Sequence, residues 1–294
     1  MDQHDGLAER FEEHRSHLRA VAYRMLGSLS EADDAVQESW LRLSRADADG
    51  IENLGGWLTT VVARVCLDVL RARTARREES LSVHVPDPLV SSAKGLDPEH
   101  EALLADAVGL ALLVVLDTLS PAERLAFVLH DMFGVPFDEI ALMARRSPDA
   151  VRQLASRARR RVQGADPAPD VDLAGQRKVV DAFFAASRHG DFDALVAVLD
   201  PRVTLRSDGG VSRPGASVVV HGAREVASQA FTFRRLSPFV RPALVNGAAG
   251  VVVALQERPF AVMGFTVRGG KIVEIDAIAD PARLRHVDLA VLEG

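Results

Sequence analysis

Seven arginines against one aspartate lie between positions 145 and 163, and they are the residues of this chain best suited to recognise an anion. A guanidinium donates in pairs to phosphate oxygens or to the edge of guanine, and a glutamine side chain matches adenine. Arg152, Gln153, Ser156, Arg157, Arg160 and Arg161 fall at helical spacing on one side of the stretch 148–162. Val151, Leu154, Ala155, Ala158 and Val162 fall on the other. Arg152, Gln153 and Ser156 are placed for base edges, while Arg145, Arg146, Arg159, Arg160 and Arg161 suit phosphates. A second basic block holds Arg64, Arg71, Arg73, Arg76 and Arg77 against the single acid Asp68. Arg64 and Arg71 can each pair with Asp68 along a helix, worth a few tenths of a kcal/mol. The charge left over suits a second nucleic-acid contact, with Trp57 nearby for stacking or for the core.

Other chemistry is thinner. Asp208, His221, Glu257 and Asp276 are the candidate acids and bases of the C-terminal half, but nothing in the sequence orients one against another, and Asp208 before Gly209-Gly210 suits a turn. His14 and His17 stand three apart without a further ligand, so no metal site is expected. Cys66 is the single cysteine, which excludes an internal disulfide and a cysteine-based zinc site, and on an amphipathic helix it reads as packing. No cofactor is expected.

Helices position both basic blocks. Ser30 is the expected cap of a helix from Glu31 to about Arg45, with Asp33 in the manner of a capping box. Ala32, Val36, Trp40 and Leu43 then face inward, while Asp34, Gln37 and Glu38 face outward. A second helix begins near Gly55-Gly56, with Trp57, Val61, Val65 and Val69 inward and Arg64, Asp68 and Arg71 outward. Residues 79–96 carry Pro86, Pro88 and Gly95 without periodicity, as a linker does. Asp97-Pro98-Glu99 restarts helix, and Ser120-Pro121-Ala122-Glu123 is a capping box opening another that reaches about Phe133. The helix 138–144, the turn Arg145-Arg146-Ser147 and a helix opened by Ser147-Pro148-Asp149 then have the layout of a helix-turn-helix.

After a second linker at 164–173 the pattern changes to α+β. Two helices (176–188, 192–199) precede strands at 203–206, 218–221, 241–245, 251–256, 260–267 and 272–278. A helix at 223–234 lies among them, Gly269-Gly270 marks a hairpin, and a last helix follows Pro281. The 294 residues, 48% hydrophobic and 26% charged, can bury several cores. No apolar run approaches the roughly 20 residues of a membrane span and no signal peptide opens the chain, so a cytoplasmic protein with no membrane partner is expected. The net charge of −6 argues against nucleic acid only until it is divided, because 55–77 carries +4 and 145–163 carries +6 between acidic stretches.

The residues also carry a resemblance. Val21-Ala22-Tyr23-Arg24-Met25-Leu26-Gly27-Ser28 and Glu31 to Leu43 look like region two of extracytoplasmic-function sigma factors, and Trp57 to Arg77 is similar to the promoter-melting part of that region. Ser120 to Val162 resembles region four. The C-terminal part resembles the SnoaL-like, cone-shaped barrel domain fused to one branch of these factors, the sigma J type. His84-Val85-Pro86-Asp87-Pro88 stands where that branch reads Trp-Leu-Pro-Glu-Pro in its linker. Asp208-Gly209-Gly210-Val211 stands for Asp-Gly-Gly-Gly, and Asp280-Pro281-Ala282-Arg283-Leu284 for Asn-Pro-Asp-Lys-Leu.

The resemblance implies a multidomain transcription initiation factor without enzymatic activity. Its expected parts are region two (1–78), a linker (79–96), region four (97–163), a linker (164–173) and a SnoaL-like regulatory domain (174–294). RNA polymerase core would be bound through Asp34, Gln37, Glu38 and Leu41, and promoter DNA through the two basic blocks. The fused domain would regulate through the three short signatures, including Gly209, Gly210, Asp280, Pro281, Arg283 and Leu284. A small molecule is a further candidate partner for its pocket. Two other readings are a ligand-responsive helix-turn-helix repressor, which would dimerise on a palindrome, and an isomerase-like or cyclase-like enzyme.

Overall fold

The structure is a computed structural model and describes residues 2–46, 50–77, 83–92, 109–165, 170, 172–287 and 289–292. The chain forms two compact units. The first takes Met1–Leu81 with Val115–Asp166, and the second takes Ser82–Val114 with Pro167–Gly294.

The first unit is helical. Helices α1 (Asp2–Leu26), α2 (Leu29–Leu43) and α3 (Leu54–Arg77) pack on one another. Gly27, at φ 68°, makes the sharp turn between α1 and α2, a conformation that costs a side chain about 1 kcal/mol. The cap of α2 is Ser28 rather than the expected Ser30, since the Ser28 hydroxyl accepts from the Glu31 amide. Asp33 pairs instead with Arg19 on α1, at 2.7 Å. Ala32, Ala35, Val36, Ser39 and Leu43 are buried. Trp40 is only half-buried, its ring 5.2 Å from that of Phe11.

On α3 Leu58, Val61, Val62, Ala63, Cys66, Leu67 and Leu70 are buried, so of the residues expected inward Val61 is buried while Trp57, Val65 and Val69 are half-buried. The helix is apolar around most of its circumference and meets α1, α2 and α5, so spacing alone picks out no single face. Helix α4 (Leu110–Asp117) begins in the second unit and enters the first at Val115, and α5 (Pro121–Phe127) follows it and opens on the expected capping box. One π-helical turn, Val128–Met132, extends α5 to a stop at Gly134, φ 68°. Helices α6 (Phe137–Ala144) and α7 (Pro148–Ala165) follow, so the first residues of the expected second linker are helical. The helix start expected at Asp97-Pro98-Glu99 lies outside the described residues.

The second unit is α+β. Its elements are β1 (Val90–Ser91), α8 (Leu173–His189), α9 (Phe192–Val198), β2 (Leu199–Asp208), β3 (Val218–His221), α10 (Ala223–Thr232), β4 (Val240–Val245), β5 (Ala248–Leu255), β6 (Arg258–Arg268), β7 (Lys271–Ile278) and α11 (Pro281–Leu284). The sheet order is β1-β4-β5-β6-β7-β2-β3, antiparallel throughout except for β2 beside β7. Its core gathers Val180, Phe183 and Leu195 from the helices with Val203, Phe265 and Ile272 from the strands.

Strand β1 is the finding that spacing could not supply. It comes from the expected linker and adds to the edge of β4, pairing Val90 with Val245 and Ser91 with Leu244. Val85 to Leu89 are all buried, so this stretch is part of the second unit's core.

Candidate nucleic-acid interface and linker clasp

In the helix-turn-helix, Val151, Leu154, Ala155 and Ala158 of α7 are buried. Arg152, Gln153, Ser156, Arg157, Arg160 and Arg161 are exposed on the opposite side, as are Arg145 and Arg146 at the turn. Several of these cations are already oriented. Arg152 reaches Asp149 at 2.5 Å and lies 5.7 Å over the Phe137 ring, while Arg157 and Arg161 flank Glu123 at 3.5 and 3.4 Å. Arg159 is held by Asp131 at 2.5 Å. The hydroxyl and amide of Ser120 and these two arginines hold the Glu123 carboxyl below its usual range, against the opposing effect of burial.

Arg145 closes α6 in the left-handed conformation, φ 55° and ψ 51°, where glycine is usual, and its amide donates to the Ala141 carbonyl. A side chain in this region carries a steric cost of about 1 kcal/mol that glycine does not. Arg145→Gly is therefore expected to raise the stability of the first unit by about 1 kcal/mol while weakening DNA binding. The logarithmic salt slope of that binding should fall by roughly 0.9. Urea unfolding and a salt titration on duplex DNA check the two halves separately.

The basic block on α3 divides. Arg64 and Arg71 are exposed, Arg64 donating to the Leu142 carbonyl at 3.4 Å and Arg71 standing 3.5 Å from Asp68. Arg73 is half-buried, donating to the Leu26 carbonyl at 2.8 Å and ion-paired with Glu31, so it ties α3 to α1 and α2 rather than standing ready for DNA. The side chains of Arg76 and Arg77 lie outside the described set. On α2, Asp34, Gln37 and Leu41 are exposed and Glu38 is half-buried, ion-paired with Arg42 at 2.8 Å. Charge and an apolar side chain thus share one open helix face.

The three short signatures of the second unit converge in a clasp. Arg283, next to the last residue of α11, donates to Asp87 at 2.5 Å, to Asp208 at 2.7 Å and to the Val85 carbonyl. Asp208 Oδ2 also accepts from the Val85 amide at 3.1 Å and lies 3.7 Å from His84 Nδ1. Asp208 is 4% exposed, too enclosed to be the solvent-facing turn residue that Gly209-Gly210 suggest, although its Oδ1 does accept from the Gly210 amide. Gly210 packs so close to Asp280 that a Cβ would sit 2.3 Å from its carboxylate, and Asp280 caps α11 by accepting from Ala282. Leu284 is buried behind. A further tie lies one step along, where Leu89 and Asn246 exchange two hydrogen bonds at 3.0 and 2.8 Å.

The candidate acids and bases do not converge. Asp276 is buried with Arg206, which also meets Glu274. Burial, reinforced by the Glu274 charge and opposed by Arg206, pushes its carboxyl up to about 6. Glu257 is exposed on the β5–β6 turn beside Arg241, and His221 Nδ1 lies 3.2 Å from the Thr204 hydroxyl.

Spacing missed Arg124, which is 2% exposed, ion-paired with Asp117 and donating twice to the Arg24 carbonyl at 3.2 and 3.1 Å. Its signal was faint, an arginine leading the apolar run Leu125-Ala126-Phe127 on a capped helix.

Comparisons with known proteins agree with this geometry. Sigma-70 region 2 matches residues 10–76 and Sigma-70 region 4 matches residues 109–162. The probable ECF RNA polymerase sigma factor SigI of Mycobacterium tuberculosis is 38% identical over 97% of each chain. ECF RNA polymerase sigma factor SigJ of the same organism is 39% identical over 92% of this chain and 91% of its own. The crystal structure of M. tuberculosis SigJ is similar with a TM-score of 0.75 at 35% identity, covering 95% of this chain and 98% of that one. Two sigma regions in their proper order, relatives that match from end to end and a shared full-length fold place the chain in the ECF sigma factors of RNA polymerase, which act in transcription initiation.

Proposed function

We propose that this sigma factor brings RNA polymerase core to promoter DNA and that its own α+β domain regulates it, with no enzymatic role. Residues 1–78 form region two, docking on polymerase through Asp34, Gln37, Glu38 and Leu41. Arg64 and Arg71, continued by Arg76 and Arg77, engage the minus-ten element, while Arg73 holds the helix that carries them against α1 and α2. Residues 97–163 form region four, in which Arg152, Gln153, Ser156 and Arg157 read the minus-thirty-five element while Arg145, Arg146 and Arg160 grip phosphates. Residues 174–294 form the regulatory domain, with the linkers 79–96 and 164–173 between. The protein works in the cytoplasm beside the polymerase, and its α+β domain offers a cavity to a small molecule.

The observation that carries the regulatory reading is the clasp, in which Asp208 and Arg283 hold Val85 and Asp87 on the stretch joining the two sigma regions. Whatever changes that hold changes how freely the two DNA-reading regions can separate. A lone helix-turn-helix loses roughly 0.9 of a log unit in affinity per neutralised phosphate for each tenfold rise in salt, so free binding is weak and polymerase supplies the frame. Footprinting of the full chain at physiological salt, with and without core polymerase, tests the reading. Protection of two separated elements only with core is expected. A palindromic footprint without core would make the protein a repressor instead.

A further inference from the structure

Between helices α8 and α10 and the inner face of the sheet lies a cavity of about 180 Å³. Phe183, Phe184, Leu205, Val226, Met263 and Ile275 give it apolar walls. The hydroxyls of Ser187 and Ser237 face each other at 3.4 Å, and both residues are buried. Arg213 is the one charged group on the wall among the described residues, and it is held in place by neutral partners. The guanidinium donates to the Ala279 carbonyl at 3.1 Å and to the Phe260 carbonyl at 3.5 Å, and lies 4.6 Å over the Phe260 ring. Asp208, His221, Glu257 and Asp276 are not among the described residues that line the cavity. It therefore offers a mostly apolar volume with three serines, the Gln229 amide and the Arg213 guanidinium on its wall, and no described carboxylate or imidazole.

The wall of the cavity is also the neighbour of the clasp. Arg213, Gly215 and Ala216 belong to the loop that leaves Asp208, closed by bonds from the Arg213 amide to the Gly209 carbonyl (3.2 Å) and from the Gly209 amide to the Ser217 hydroxyl (3.0 Å). The Ala279 amide donates to the Asp208 carbonyl at 2.7 Å, and the Ala279 carbonyl accepts from Arg213. One short network thus joins a cavity-lining guanidinium to the residue that holds the Val85 amide.

We propose that the cavity binds a largely apolar molecule of one ring, neutral or carrying one acidic group toward Arg213, and that an occupant bearing on Arg213 and Ala216 tightens the hold of Asp208 on Val85. The size follows from volume, since a dry apolar cavity of about 150 Å³ accepts benzene, so this one suits roughly six to ten non-hydrogen atoms. The class follows from the walls, because a cation entering here would lose its hydration beside the like charge of Arg213, whereas an apolar ring fits the walls and one acidic group could be met by that guanidinium. The direction follows from linkage: a ligand stabilises the state in which its cavity is formed, and here that state has the clasp closed. The coupling rests on the regulatory reading above.

The test uses the full chain with toluene, indole and benzoate as probes, reading thermal unfolding and hydrogen exchange at the Val85 amide. Toluene or indole is expected to raise Tm saturably and slow Val85 exchange about tenfold, and benzoate to do the same through Arg213. Ala277→Leu, which fills the cavity, should abolish both effects. Asp208→Asn should keep binding and lose the change at Val85. No saturable response to toluene or indole overturns the cavity proposal, and binding without slower Val85 exchange overturns the coupling. Val85 exchanging freely in the unliganded protein would instead overturn the clasp reading on which the coupling rests.

Discussion

Arg283→Ala is expected to release the linker stretch from the second unit while leaving the sheet intact. The guanidinium serves two carboxylates that are almost wholly enclosed, Asp87 at 8% and Asp208 at 4% exposure, and it also binds the Val85 carbonyl. Removing one member of a buried ionic network costs about 3–5 kcal/mol, because the partners stay desolvated without compensation. The least costly relief is for residues 83–88 to leave the surface and let water reach both carboxylates. Exchange at the Val85 amide should accelerate on the order of a hundredfold or more, since each 1.4 kcal/mol is a factor of ten. Amides of β5 and β6 should change far less, which separates local release from unfolding. Arg283→Lys should fall between, as an ammonium keeps the charge but cannot fork across two acids and a carbonyl. Unchanged exchange at Val85 in Arg283→Ala would show that β1 and the Leu89–Asn246 pair hold the stretch alone, and the clasp would lose its role.

What could be read beforehand followed from periodicity and from local caps. The buried stripe of α7 from Val151 to Ala158, the capping box of α5 and the hairpin at Gly269-Gly270 are local, and the structure has them where spacing put them, with only Val162 of the expected stripe half-buried. The stretch 83–92 was unreadable because its order comes from residues more than a hundred positions away, and a two-residue strand has no period. Helix α3 misled because one apolar helix serves several neighbours. Arg145 hid its left-handed turn because the residue that normally announces one is glycine. Arg73 and Arg124 show the limit for charge: the same side chain serves solvent, phosphate or a buried carbonyl, and only the fold decides. The three signatures could be listed from resemblance, but their joining through one guanidinium needed geometry.

Holding the first unit closed is expected to abolish promoter-directed transcription. In this unit the helix-turn-helix module packs on α1 and α3. Arg64 donates to Leu142, Arg24 lies 4.7 Å over the Phe133 ring, and His17 meets that ring edge-on at 5.3 Å. Elements at minus ten and minus thirty-five are about 25 base pairs apart, on the order of 80 Å at roughly 34 Å per ten pairs. Basic surfaces on helices in hydrogen-bond contact cannot read both at once, so the packed arrangement must open on polymerase. The pair His17→Cys and Phe133→Cys, in a Cys66→Ala background, allows a short bis-methanethiosulfonate bridge that dithiothreitol removes. Neither position belongs to the proposed DNA-binding or polymerase-binding faces. The bridged protein should lose at least tenfold in transcription from a linear promoter template with core polymerase and recover on reduction. Equal transcription before and after reduction would mean that polymerase accepts the packed form, and the linker's hold would then have to act on something other than separation of the two regions.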